Sequence, residues 1–556
     1  MKQSLRLVVG IVFCILFAVS ALVLALQMMD NIYAFRSPLH DTPPIPGRSL
    51  GEATARRVVF VLVDGLRYDT SLKEEVMPVL NGLRSKGASA EMASKPPTFS
   101  TPGYGVLLTG AWPYLSDAPA FNVGYEDTPV LTQDNLFSAA KRQGLKTAVS
   151  GYYWFEKLIP QDALDASFFT PGEDNAADRD VMEAALPWLD REEYQFILIH
   201  LDQVDYAGHH EGGARDPNWD AAAARADAML GEILAELDLT QDVLFVCSDH
   251  GHIDRGGHGG NDADTLSEPF LLVGSNVIAG NYGEVEMVDV APTLAVIMGT
   301  NLPASSQGRV LTEMLNLPDA VLQNLPEETA RQQSKLLTAY AAAIGQKINA
   351  EDSVMDAQRD VADFQKTLNE ARMVRLLRER LLRFAMGAVL LVVGLFLLKR
   401  WPPAGLWWML VGVVLYSLLF HLYYLVFGMN TYSYSAVPGE IELIGGNGLA
   451  ALIAMFLTGF MLGWRNWVNN GAMYAAQRYL QFTLVLILLT AIPFYSHVLW
   501  SGLFATWTLP AINLHFLALL SLIQILFLGV GGLILMSVAA YMARRIQYKQ
   551  RAKTIA

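Results

Sequence analysis

Between Leu514 and Met542 the chain runs without a single Asp, Glu, Lys or Arg. A helix that long and that apolar is at home only where water is excluded, and hydrocarbon is the simplest such place. Four more runs of this kind follow residue 380: Leu381–Leu398, Gly405–Phe427, Ile441–Trp464 and Tyr479–Trp500. Leu5–Met29 is a sixth, beside Lys2 and Arg6. Each can cross a hydrocarbon core of about 30 Å. The first run exceeds the roughly 7–15 apolar residues of a signal-peptide core, so it is expected to stay as a signal anchor.

Six crossings put both termini on one side. Lys399, Arg400, Arg465, Arg478, Arg544, Arg545, Lys549 and Arg551 fall on the side of Lys2 and Arg6. The positive-inside rule makes that side cytoplasmic, in a plasma (inner) membrane, with the long middle segment outside. Arg372, Arg375, Arg378, Arg380 and Arg383 fall on the outer side at helical spacing with leucines. They are expected to form an amphipathic helix on anionic headgroups, so membrane lipids are the first expected partners.

Only 17% of the residues are charged, and the deficit lies at the two ends. The middle has ordinary globular composition. The expected layout is an N-terminal membrane helix (1–30), a Pro-rich tether (31–50), a catalytic domain (51–318), a helical stalk (319–380), five spans (381–543) and a basic tail (544–556). A net charge of −14 speaks against a nucleic-acid partner. Cys14 and Cys247 stand in no metal-ligand spacing and read as small buried hydrophobes.

The middle segment alternates short β-branched runs (RRVVFVLVDG, KTAVSGYYW, YQFILIHLDQVD, DVLFVCSDHG, EPFLLVGSN) with helical patterns. This predicts an α/β domain with a doubly wound, largely parallel sheet covered on both faces. Ligands of such sheets bind beyond the carboxyl ends of the strands. Asp64 follows one run, Asp202, Asp205, His209 and His210 another, and Asp249, His250, His252 and His258 a third. Six of the 10 histidines lie between His200 and His258. Carboxylates and imidazoles are the ligands zinc accepts when thiolates are absent, and manganese is the alternative. Two ions about 4 Å apart clamp the attacking and leaving oxygens of an in-line displacement. In KPPTFSTPGYGVLLTG, Thr98, Ser100 and Thr101 precede Pro102, which predicts a hydroxyl at a helix N-terminus, where an anion is favoured.

Five segments, VDGLRYD, PTFSTPGYGVLLTG, HLDQVDYAGHHEG, SDHGHIDRGGHGG and VDVAPTLA, together resemble the alkaline phosphatase superfamily. Within it they are most similar to the type I phosphodiesterase and nucleotide pyrophosphatase branch, including the ethanolamine phosphate transferases of GPI-anchor synthesis. The resemblance implies one metal on Asp64, Asp249, His250 and the nucleophile, and a second on Asp205, His209 and His258. It places Ser100 at the nucleophile position, with Thr98 and Thr101 as alternatives, and casts His252, Asp202 and Asn261 as orienting groups. Nucleotide pyrophosphatases carry a phosphate-binding asparagine after the nucleophile, where Gly103 stands here. The implied activity is transfer or cleavage of a phosphate ester on lipid-linked or glycan headgroups. Polar His421, Glu440, Glu442, Asn447 and His497 in the bundle would mark a substrate path. Hydrolysis of soluble phosphodiesters, and a non-catalytic scaffold or transporter, are the competing expectations.

Overall fold

The computed structural model describes residues 2–347, 361–400, 405–428, 431–437, 439, 441–463 and 467–555. The strands are β1 (Val58–Val63), β2 (Ala88–Ala93), β3 (Thr147–Tyr152), β4 (Ala166–Thr170), β5 (Phe196–Leu201), β6 (Val243–Cys247), β7 (Ser267–Gly274) and β8 (Gly280–Glu286). They form one sheet in the order β4-β3-β5-β1-β6-β7-β2-β8. β1 is central and parallel to both neighbours, with Val61 opposite Ile199 and Val246. Only β7 runs antiparallel to its neighbours. The largely parallel α/β sheet expected from the sequence is therefore present. β1 sends Phe60 and Leu62 into one core and Val59, Val61 and Val63 into the other, so both faces are covered.

β2, β4 and β8 lack the apolar, β-branched pattern that marks the other five. ASAEMA and GNYGEVE are rich in residues that form strands weakly. β4 and β8 are also the two edges, where half the side chains meet water and no continuous apolar run is needed.

Among the described residues five helices are long and apolar enough to cross a membrane: Ser4–Tyr33, Leu406–Phe427, Glu442–Gly463, Ala472–Ser501 and Ile512–Arg551. The sequence reading has six. The remaining run, Leu381–Leu398, is the C-terminal part of one helix, Val361–Arg400.

Two connecting segments are more tightly held than expected. The Pro-rich tether is fastened at its start, where Arg36 pairs with Asp117 and the Ser37 N–H donates to Asp117 Oδ1 at 2.9 Å. The expected stalk begins as the helix Asp319–Ala343, which lies on the domain: Gln332 donates to the carbonyls of Ala304 and Ser306, and Leu336, Leu337 and Tyr340 are buried against Ala111 and Leu115. The arginine cluster is likewise engaged by protein. Arg372 lies over the Tyr114 ring, Arg375 over Trp507 and Arg380 over Trp500, while Arg383 pairs with Glu379. Only Arg378 of the five is exposed to its surroundings. Both cysteines are buried and unbridged.

Candidate metal centre

The carboxyl ends of β5, β1 and β6 lie side by side, and each delivers acidic or imidazole groups to one point. Asp64 follows β1. Asp205 and His209 sit four residues apart on one face of the helix Gln203–His210, which starts after β5. Asp249 and His250 follow β6, and His258 returns on the next loop. His250 Nε2 lies 3.4 Å from Asp64 Oδ1 and 3.5 Å from Asp249 Oδ2. Those two oxygens are buried and have no hydrogen-bond partner. On the other side, His209 Nε2 and His258 Nε2 face each other at 2.8 Å, with Asp205 oxygens 3.6 and 3.4 Å away.

Second contacts fix the ring orientations. His250 Nδ1 lies 3.2 Å from the Gly251 carbonyl and His258 Nδ1 2.9 Å from that of Thr98. A neutral ring in either place carries its proton on Nδ1 and turns the Nε2 lone pair inward. His252 is set the opposite way. Its Nδ1 accepts from the Gly257 N–H at 2.9 Å, so Nε2 donates to Asp205 Oδ1 at 2.6 Å. His252 therefore holds Asp205 Oδ1 in place.

Burial pushes the His250 imidazole down to about 3 and holds His258 well below its ordinary value, which keeps both in the neutral, metal-binding form. Burial and the nearby Asp64 and Asp205 charges push the Asp249 carboxyl well up, and burial with the same two charges does so for Asp202. Among the described residues no Lys or Arg pairs with Asp64, Asp205 or Asp249. Carboxylates packed together with orphaned oxygens, facing imidazole lone pairs, fit a pair of cations. Asp64, Asp249 and His250 form one group able to hold an ion; Asp205, His250 and His258 converge in another, beside His252, whose two ring nitrogens are already engaged.

Ser100 opens the buried helix Ser100–Thr109, and its Oγ lies 3.3 Å from His250 Nε2. The other hydroxyls are spent elsewhere. Thr98 Oγ1 donates to the Gly260 carbonyl at 3.1 Å and accepts from the Gly259 N–H at 3.0 Å, so it anchors the His258 loop. Thr101 Oγ1 bonds Phe121 and Asn122. Asn261 is exposed.

Three further residues enter the site. Tyr104 OH donates to Asp64 Oδ2, and His200 Nε2 lies 2.9 Å from the same oxygen. Together they leave only Oδ1 free. Asn122 Nδ2 donates to Ser100 Oγ at 3.3 Å. An amide thus does reach Ser100 Oγ, although Gly103 cannot supply it: a Cβ there would stand 2.9 Å from Asp249 Cβ and 3.0 Å from its carbonyl oxygen.

A cavity of about 440 Å³ leads from this cluster into the membrane region. Asn122, His209 and His258 line its upper end, and Ala21, Leu22, Leu519 and Leu526 its lower end. The described members of the expected polar path, His421, Glu442, Asn447 and His497, do not line it; Glu440 lies outside the described residues. His421 instead meets Tyr432 OH at 2.6 Å, and Asn447 caps the Leu443 carbonyl of its own helix.

The bundle also clasps the metal loop. Arg255 donates to the carbonyls of Gly428 and Ala436 at 3.2 and 2.7 Å. The Gly260 N–H donates to Ser435 Oγ at 3.0 Å, and Ser433 Oγ donates to Asp262 at 2.5 Å.

Residues 58–259 match the family described as type I phosphodiesterase / nucleotide pyrophosphatase. The chain is 27% identical over 299 residues to GPI ethanolamine phosphate transferase 2, catalytic subunit, of Homo sapiens, spanning 48% of this chain and 30% of that protein. It is 23% identical over 385 residues to GPI ethanolamine phosphate transferase 2 of Yarrowia lipolytica, spanning 63% and 44%. It therefore covers less than half the length of these curated relatives. Among solved structures, human ectonucleotide pyrophosphatase / phosphodiesterase 5 aligns with TM-score 0.39 at 13% identity, over 47% of this chain and 100% of that one. Residues 58–259 are thus similar to the type I phosphodiesterase / nucleotide pyrophosphatase family. The curated relatives named above are ethanolamine phosphate transferases.

Proposed function

We propose that this chain is a membrane-embedded phosphotransferase or phosphodiesterase that uses two divalent cations, zinc by its histidine content, on a lipid-borne phosphate ester. The observation that carries the reading is the convergence of Asp64, Asp249 and His250 with Asp205, His209 and His258 beside Ser100 Oγ. Asp64, Asp249, His250 and Ser100 would hold one ion, and Asp205, His209 and His258 the other. Bound there, the ions would neutralise the phosphate and the charge that develops on it in the transition state.

Ser100 is the nucleophile. Its Oγ forms a bond to phosphorus while the bond to the leaving alcohol breaks, and the serine proton departs with that alcohol. A second alcohol then attacks the phosphoserine, giving transfer and restoring the Ser100 hydroxyl; water in its place gives hydrolysis. Asn122 Nδ2 holds a phosphate oxygen beside Ser100. Tyr104 and His200 fix Asp64, and His252 fixes Asp205. The names of the relatives support ethanolamine phosphate as the transferred group. The cavity that joins the cluster to the membrane helices supports a lipid carrier. Lys2, Arg6, Arg544 and Arg545 support cytoplasmic termini and an extracytoplasmic catalytic domain.

The test is turnover of an aryl phosphodiester by the purified full chain in nanodiscs, with and without zinc. Ser100→Ala should lower kcat by about 10³-fold or more while metal content stays near two. Acid-quenched wild type should carry a phosphate on Ser100. Full activity in Ser100→Ala removes the nucleophile assignment, and zinc-loaded wild type that neither turns over nor phosphorylates removes the function.

A further inference from the structure

The helix Val361–Arg400 meets the catalytic domain across a second cavity, of about 300 Å³, which no member of the Asp and His cluster lines. Gln365, Asn369 and Arg372 recur every three or four residues and face it together. Gln365 donates to the Gln307 carbonyl and so pins the helix to the domain. Lys95, Trp112 and Tyr114 of the domain form another wall. Lys95 Nζ stands 3.9 Å from the Trp112 ring centroid and pairs with Glu286 at 2.8 Å. Trp112 follows the far end of the helix that Ser100 opens, about 15 Å along its axis.

Arg372 is the unbalanced group in this wall. Arg375 and Arg383 share Glu379, but among the described residues Arg372 pairs with no carboxylate. Its Nη2 donates to Thr508 Oγ1 at 2.7 Å, and its guanidinium carbon lies 4.5 Å from the Tyr114 ring centroid. Its Nε is buried and has no acceptor. A buried, charged N–H left in that state is costly unless a ligand supplies the acceptor. Asn369 is exposed, and its amide is uncommitted among the described residues. The level of the cavity is set by the same helix. Val374, Leu377 and Leu381 are exposed apolar residues, so the apolar belt begins about 3 Å along the axis from Arg372. Trp500 under Arg380 and Trp507 under Arg375 are the aromatic residues expected where a membrane meets water.

We infer that this cavity is a second anion site, which takes a phosphate group on Arg372, Asn369 and Lys95. The phosphate supplies the acceptor that Arg372 Nε lacks and the counter-charge that its guanidinium lacks. Its carrier is a lipid headgroup at the membrane surface or a soluble phosphate ester, and about 300 Å³ leaves room for a glycerol or sugar beside the phosphate. This phosphate is not the one that reacts, since the metal cluster has no member in the wall.

The experiment uses the full chain in phosphatidylcholine nanodiscs, with phosphatidylglycerol as the probe and native mass spectrometry to count the lipid retained. No turnover is needed, so failure of the activity proposed above would leave the result intact. Wild type should retain phosphatidylglycerol in preference to phosphatidylcholine. Arg372→Gln should lower that retention about tenfold or more, and Asn369→Ala about threefold. Arg378→Gln, at the exposed arginine of the same helix, should leave it unchanged. Displacement of the lipid by soluble glycerol phosphate would show that the phosphate group alone is recognised; retention in its presence would assign the lipid as carrier. The inference is overturned if wild type shows no preference, if Arg372→Gln and Asn369→Ala both retain the lipid as wild type does, or if Arg378→Gln loses as much as Arg372→Gln. Should Arg372→Gln fail to fold, Asn369→Ala decides alone.

Discussion

Val59, Val61 and Val63 of β1 are at most 1% exposed, whereas Val389, Leu390 and Val392 of the helix Val361–Arg400 are 63%, 72% and 66% exposed. The same residue types are thus placed in opposite ways within one chain. In the sheet, apolar side chains leave water by packing against two covering layers. In the helix they point outward, which is stable only if the surroundings are themselves apolar. The contrast teaches that each half obeys the same rule under a different solvent, and that the metal centre lies at the seam between them. At that seam Ile32, Phe35, Phe121, Tyr434 and Phe516 form one cluster drawn from both halves.

The contrast is easiest to break by truncation on each side. Phe245→Ala, in the buried sheet, should cost about 3–5 kcal/mol in unfolding of the catalytic domain. Leu390→Ala, on the outward face, should stay within about 0.5 kcal/mol in a bilayer. Equal costs would mean that the outward face is a protein interface and not a lipid one. A smaller effect is expected at the seam. Arg255→Ala removes two donated hydrogen bonds to the bundle and should cost about 1.5–3 kcal/mol. Hydrogen exchange should then rise in residues 255–262 while the β1 amides keep their protection; unchanged exchange there would show that the clasp holds nothing.

The smallest effect concerns the fastening of the N-terminal linker. Burial alone would raise the Asp117 carboxyl, but hydrogen bonds from Arg36, Thr132 and His40 outweigh it and hold the group below its usual range. A depressed value in the folded state gives stability that is complete above about pH 4 and is lost as pH falls through the folded value. Protease access to residues 37–49 should therefore stay constant from pH 8 to 5 and rise only below about 4. A rise near neutrality would show that the Asp117 carboxylate is not what holds the linker.

Asp64 and Asp249 are legible in the sequence because each follows an apolar strand within two residues, Asp64 after β1 and Asp249 after β6. Ser100 was legible through Pro102 and the helix start. Thr98 shared that signal, and only the loop packed above it shows that its hydroxyl is committed to Gly259 and Gly260. Tyr104 and Asn122 carry no local mark, since their roles come from how a helix and a distant loop meet the cluster. His200 did leave a trace: it is the one polar residue in FILIHL. The three weak strands were hidden because edge positions and alanine-rich pairing need no apolar pattern.

The clasp on the metal loop also sets a schedule. Arg255 and its acceptor Ala436 are 181 residues apart. Ribosomes add about 5–20 residues per second, so the loop waits roughly 10–40 s for the partner that holds it. By then the helix Leu406–Phe427 must already have been threaded into the bilayer. A newborn chain would thus own the whole Asp and His cluster, with Ser100 beside it, well before it owns the brace that holds the His258 loop to the bundle.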